Sequence, residues 1–268
     1  MDTAHRWLAY FRRNAHRKEA LAGEDVARLP AALRRALATS LGRFYLGEAG
    51  EGRITREVVE SSDPAFGPVV AESIVLYIRE EWRHARELRS ILGRLDAVPA
   101  KRAWTETAFR RGRRSMGLRL KVLTIGAAEV AGIAYYSLLA ERVEAPSLAK
   151  TAGRIADEER NHLAFVRALL ERAATEHPIV APAVDRLAVD ATFAAVALCG
   201  AVAVAVDHRE LIRMLSETEV GFLARCAPIL RGSSRDCRAQ RSTSNAVNSP
   251  VGVSSTTRTS STRAPSGP

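Results

Sequence analysis

Two tetrads of one spacing, Glu81-Trp82-Arg83-His84 and Glu159-Arg160-Asn161-His162, each place a carboxylate and an imidazole three positions apart. On an α-helix that spacing puts both groups on one face, so a single helix can offer an oxygen and a nitrogen to the same point. The donor set is oxygen plus imidazole without thiolate, which suits iron or manganese better than thiolate-loving metals. Two such helices, completed by one Glu from each of two others, would hold a dinuclear centre inside a four-helix bundle. Two iron ions are the expected cofactor, with manganese or a mixed pair left open.

The elements that must position these groups are legible from hydrophobic phase. Steps of three and four give Val70, Ile74, Tyr77, Glu81, His84, Leu88 and Ile91 in one segment, and Ala152, Ile155, Glu159, His162, Val166 and Leu169 in another. A third segment gives Val122, Ile125, Glu129, Gly132, Tyr136 and Leu139, and a fourth gives Leu37, Leu41, Phe44, Glu48 and Glu51. Each seam is apolar except where an acid or imidazole interrupts it. One such pair is explained as readily by salt bridges to arginine and a satisfied core histidine. Four helices with the exception in the seam are not, because unpaired buried carboxylates are costly and need a common partner. Glu48 stands 33 residues before Glu81; Glu51 stands 30 before Glu81, as Glu129 stands before Glu159. The first-helix ligand is therefore Glu48 or Glu51, and the first helix is expected to continue through Glu51.

These residues give the chain a resemblance to the ferritin-like di-iron carboxylate superfamily, which includes ferritins, rubrerythrins and oxygen-activating hydroxylases and N-oxygenases. It is carried by Leu46-Gly47-Glu48, Glu81-x-x-His84, Glu129 and Asp157-Glu158-Glu159-x-x-His162, over roughly residues 30 to 172. Within that superfamily the chain looks most like bacterial ferritin-like domain proteins. The resemblance implies that Glu81 and Glu159 bridge two metals, that Glu48 and Glu129 are terminal ligands, and that His84 and His162 each bind one metal. Glu51 departs from the simplest pattern and is an alternative or additional ligand. Tyr77 and Tyr136 share the ligand seams and are candidates for contacting the ligands, although both types also serve as plain core aromatics. Asp157 is a candidate for orienting a ligand histidine.

The remaining sequence is consistent with an all-α, ferritin-like four-helix bundle. Strand signals are scarce while Ala, Leu, Arg and Glu dominate, and 47% hydrophobic content suffices for a core. Residues 1 to 27 read as an N-terminal arm or short helix, 28 to 225 as the bundle with an extra C-terminal helix, and 232 to 268 as a disordered Ser/Thr/Arg/Pro-rich tail. A polar stretch from Gly93 to Met116 supplies the long crossover between the second and third bundle helices. Its Arg110, Arg111, Arg113 and Arg114, with a net charge of +10, invite a nucleic-acid reading. The cluster is short and lacks interleaved aromatics, so a solvated loop is preferred. The uncharged run Ala191 to Val206 is short for a membrane span and is expected to be a buried fifth helix, a membrane-associated segment being the alternative. No apolar leader opens the sequence, so the cytoplasm is the expected location. Cys199, Cys226 and Cys237 have no disulfide or zinc spacing.

The function these readings favour is an oxidoreductase that activates dioxygen or peroxide, acting on a small organic substrate with an unidentified electron donor. Ferroxidase or iron-handling activity, and a bundle that has lost its metals, are the alternatives. A homodimer is compatible with the sequence.

Overall fold

Apolar residues at three- and four-residue steps bury one stripe of each helix, and the four seams converge on a common core. The computed structural model describes residues 2–50, 52–103, 107–108, 111–112 and 116–232. The described elements are α1 (Thr3–Asn14), α2 (Ala31–Glu48), α3 (Gly52–Val59), α4 (Pro68–Arg94), α5 (Leu118–Arg142), α6 (Pro146–Glu176), α7 (Pro182–Asp207), α8 (Arg209–Met214) and a helical stretch over 219–232. No strand occurs among the described residues. Helices α2, α4, α5 and α6 form the bundle: α2 packs on α4, α5 on α6, and α4 also meets α6. Residues 143–145 join α5 to α6, a connection so short that the two must run antiparallel.

Local chemistry sets the helix ends. Pro68, Pro146 and Pro182 occupy first turns, where the missing N–H costs nothing. Helix α4 closes with Asp96 in the left-handed region at φ 54°, with Ala97 N–H donating to Leu92 C=O at 2.9 Å and Asp96 N–H to Gly93 C=O at 3.3 Å. That reversal starts the crossover, which ends where α5 begins at Leu118. Arg111 is exposed, whereas Arg110, Arg113 and Arg114 lie outside the described residues. The packing of α5 on α6 depends on Gly126, where a Cβ would stand 2.3 Å from Val166 Cγ1.

Two expectations are corrected. Helix α2 does not continue through Glu51: it ends at Glu48, and Gly50 N–H turns back onto Gly47 C=O at 3.0 Å before α3 begins at Gly52. The glycines around Glu48 weaken the helix enough to break it. Glu51 itself lies outside the described residues. Helix α7, in turn, is not a buried helix. It packs through Phe193, Ala197, Ala201 and Ala205, while Leu187, Leu198, Val202 and Val206 on other faces are exposed. By length and composition α5 and α7 could each cross a membrane; 89% of the apolar window of α5 is buried in the protein but only 22% of that of α7. The run in α7 is apolar all round, so periodicity carried no information about which face would be covered.

The N-terminal arm is α1, which packs on α4 and α6 with Phe11 fully buried. Cys199 is exposed and Cys226 buried, while Cys237 and the tail from residue 233 lie outside the described residues.

Candidate metal centre

Each bundle helix brings its seam exception to one place. Ligand atoms of Glu48, Glu81, His84 and Glu159 lie within 4.8 Å of one another, as do those of Glu81, Glu129, Glu159 and His162. Glu81 and Glu159 belong to both groups, and all six residues are buried. The two imidazole centroids are 5.7 Å apart. The arrangement is two half-sites sharing a pair of carboxylates.

Both histidines use their rings in the same way. His84 turns Nδ1 inward, 3.0 Å from Glu159 Oε1 and 3.9 Å from Glu48 Oε2, and His162 turns Nδ1 to Glu81 Oε1 at 2.7 Å and Glu159 Oε2 at 2.9 Å. Their outer nitrogens meet carboxylates across the bundle: His84 Nε2 to Glu158 Oε2 and His162 Nε2 to Glu80 Oε2, both at 2.8 Å. A carboxylate on the outer nitrogen fixes the tautomer and leaves the inner nitrogen free to ligate. Tyr136 Oη donates to Glu48 Oε1 at 2.6 Å, and Tyr77 Oη donates to Glu129 Oε1. Both tyrosines therefore hold the single carboxylates of α2 and α5.

Burial and mutual repulsion make these carboxylates costly to ionise. Burial, then the charges of Glu81 and Glu159, drives the Glu48 carboxyl well above its usual range; burial with Glu159 and Glu81 does the same to Glu129. Burial and Glu159 also raise Glu81. Burial would raise Glu159 too, but the adjacent His162 and His84 pull it well below. Burial disfavours a charged His84, yet Glu159 and Glu158 lift it to about 9, and His162 is raised by Glu159 and Glu81. Positive charge is thus favoured in the middle of the carboxylate cluster, on protonated imidazoles or on a metal ion. A divalent cation is the natural replacement, since metal and proton compete for the same lone pairs. The buried His84 Nδ1 makes no hydrogen bond of acceptable geometry although a carboxylate oxygen is 3.0 Å away, which fits a lone pair directed at a cation. The donor set and its sharing fit two divalent ions.

The residues around the cluster are less legible in the sequence. Asp157 does not orient a histidine: it is exposed and accepts from Arg160 Nη1 at 2.6 Å. Glu80 and Glu158 take that place, each one residue ahead of a shared carboxylate. A step of one residue turns about 100° around the helix, away from the centre and toward the opposite histidine. The doublets Glu80-Glu81 and Glu158-Glu159 were the available signal. Glu158 also accepts from Arg17 Nη1 at 2.7 Å and Arg154 Nη1 at 2.8 Å, and pairs with Arg83 Nη2 at 3.1 Å. Burial opposes its charge, but His84, Arg83 and Arg154 hold it down at about 2. Glu80 makes no salt bridge to an arginine among the described residues, and its charge acts on Arg83 only behind those of Glu158 and Glu87.

One end of the centre is closed by aromatic packing, with the Phe11 ring 6.0 Å from His162 and 5.0 Å from Phe165. The other side opens on a cavity of ≈ 200 Å³ with Glu48, Glu81, Glu129, Glu159 and Tyr77 at its floor. Phe44, Ile125, Ala128, Ala203 and Val204 wall it, and Arg43 and His208 also line it.

A model of the rubrerythrin family matches residues 41–170, the span from within α2 to within α6 that contains all six clustered residues. Neither curated proteins nor solved structures gave a match to the chain.

Proposed function

Residues 41–170 form a domain of the ferritin-like di-iron carboxylate superfamily, and on that premise we propose that the protein is an oxidoreductase using two iron ions to activate dioxygen or peroxide toward a small organic molecule. Glu81 and Glu159 are the shared ligands, Glu48 with His84 and Glu129 with His162 complete the two half-sites. The observation that carries the reading is the cavity whose floor is made of the cluster's own carboxylates. A centre that only oxidised and passed on iron would need an ion path, which carboxylates line better than Phe44, Ile125 and Val204 do.

Bound iron supplies the electrons for reducing dioxygen or peroxide. The protein's part is positional. Glu158 and Glu80 fix the imidazoles, Tyr136 and Tyr77 fix the outer carboxylates, and Phe11 with its aromatic neighbours keeps water from one side. Oxygenation of a substrate R–H by dioxygen consumes two electrons and two protons and gives R–OH and water, so it requires an external two-electron donor. With hydrogen peroxide the balance R–H + H₂O₂ → R–OH + H₂O closes without one.

The test is iron content per chain after expression with iron available, then the optical spectrum on anaerobic reduction and exposure to oxygen. Two irons per chain with an oxygen-dependent absorption change are expected. Many irons per chain would move the assignment to storage, and no metal after reconstitution would leave the six residues as a relic of the fold.

A further inference from the structure

The cavity beside the cluster is kept open by its glycines. Gly132 in α5, Gly200 in α7 and Gly47 near the end of α2 all line it, and a Cβ built on any of them would meet nothing within 4 Å. Glycine inside a helix is less stable than alanine, and no close helix contact explains Gly132 or Gly200, unlike Gly126 against Val166. What these positions gain is room. Helix α7 lies outside the span matched by the family model, and it roofs the cavity with Gly200, Ala203 and Val204 rather than with residues that would fill it.

The charge is placed as selectively as the space. Apart from the carboxylates and Tyr77 on the floor, the polar residues lining the cavity are Arg43 and His208. Arg43 is about one-third exposed; its Nη1 reaches the Asp207 backbone carbonyl and lies 3.2 Å from Asp207 Oδ1. Both contacts are made by Nη1, and Arg43 itself lines the cavity. Arg43 and Glu48 are five residues apart on α2, about 7.5 Å along the helix axis.

We infer that the cavity binds a small monocarboxylate with an apolar body, its carboxylate on Arg43 and its hydrocarbon end against the floor formed by Glu48, Glu81, Glu129 and Glu159. This rests on the proposed oxidoreductase reading for its biological sense, but the binding itself does not. The size follows from the volume: an apolar cavity of about 150 Å³ accommodates benzene, so ≈ 200 Å³ takes a body of roughly that size or slightly larger. The sign follows from the ends, since a cationic head would be repelled by the guanidinium, a neutral hydroxyl would accept a hydrogen bond from it without pairing its charge, and a carboxylate turned inward would meet four acids.

The test is calorimetric titration of the full-length chain, metal-free and iron-loaded, with hexanoate, hexan-1-ol and hexylamine. Hexanoate is expected to bind tightest, and hexylamine not to bind. Gly200→Leu should weaken hexanoate at least about tenfold with helicity and iron content unchanged; if that variant does not fold, Ala203→Leu carries the same test. Arg43→Met should erase the preference for hexanoate over hexan-1-ol, and Arg43→Lys should keep the exclusion of hexylamine. No binding by any probe, equal binding of all three, or hexanoate affinity indifferent to both Gly200→Leu and Ala203→Leu would overturn the inference. Protein that binds hexanoate as expected but takes up no iron on reconstitution would overturn the oxidoreductase reading alone.

Discussion

Replacing Glu158 with Gln separates the two half-sites, and the structure fixes both the size and the asymmetry of the effect. Glu158 meets His84 Nε2 at 2.8 Å, while the equivalent contact to His162 comes from Glu80. Loss of such a carboxylate typically weakens the metal roughly 10–100-fold, about 1.4–2.7 kcal/mol. Glu158→Gln should therefore weaken one of the two metals by that factor and spare the other, so that a titration against a competing chelator shows two separated steps. Glu80→Gln should do the same to the other metal. Stability distinguishes the two variants. Glu158 is the partner of the buried Arg83 as well as of Arg154 and Arg17. Stranding a buried charge costs about 3–5 kcal/mol, but Glu87 remains for Arg83 at 3.6 Å and also pairs with Arg154, and Arg17 is half exposed. About 2–3 kcal/mol is left, a fall in Tm of roughly 4–12 °C for a domain of this size. Glu80→Gln removes from Arg83 only a charge that ranks behind those of Glu158 and Glu87, and should lower Tm less. Equal loss at both metals in either single variant, or the larger fall in Tm from Glu80→Gln, would refute this division of the site.

Glu159→Ala removes a carboxylate common to both clusters and should abolish or severely weaken binding of both metals; elemental analysis retaining two would refute the proposed shared role. Gly126→Ala should destabilise by about 1–3 kcal/mol in spite of better helix propensity, because the new methyl meets the stiff Val166 side chain at 2.3 Å; urea unfolding measures it. Burial, with Arg43 nearby and only partly offset by Asp207, lowers His208 to about 4, while Ser40 Oγ at 2.7 Å and the Tyr135 hydroxyl beyond it are its neutral neighbours. The unfolded chain takes up this proton near pH 6.5, so stability is full above that and falls toward pH 4, by about 3 kcal/mol in all. His208→Gln should flatten that part of the pH–stability curve, with the metal-free chains compared; an unchanged slope would show that His208 is not the group responsible.

Helix class, four seams and five of the six clustered residues were determined by the sequence alone, because a 3.6-residue period fixes which side chains share a face; Glu48 and Glu51 continue the same seam, and only the tertiary structure brought Glu48 into the cluster. An acid in an apolar seam can only be inside if the helix is. That Glu81 and Glu159 sit in both clusters, and that Tyr77 and Tyr136 reach Glu129 and Glu48, depended on how the helices pack. Hydrophobic phase gives a direction but no distance between helices. The same limit explains Glu80 and Glu158: one step from the seam they resemble solvated acids, and only the approach of α4 to α6 turns each onto the opposite histidine. Helix α7 shows the converse. A run apolar on every face has no phase, so the tertiary structure alone decided that Ala197, Ala201 and Ala205 would be covered, that Leu198 and Val202 would not, and that Gly200 would open over the clustered carboxylates.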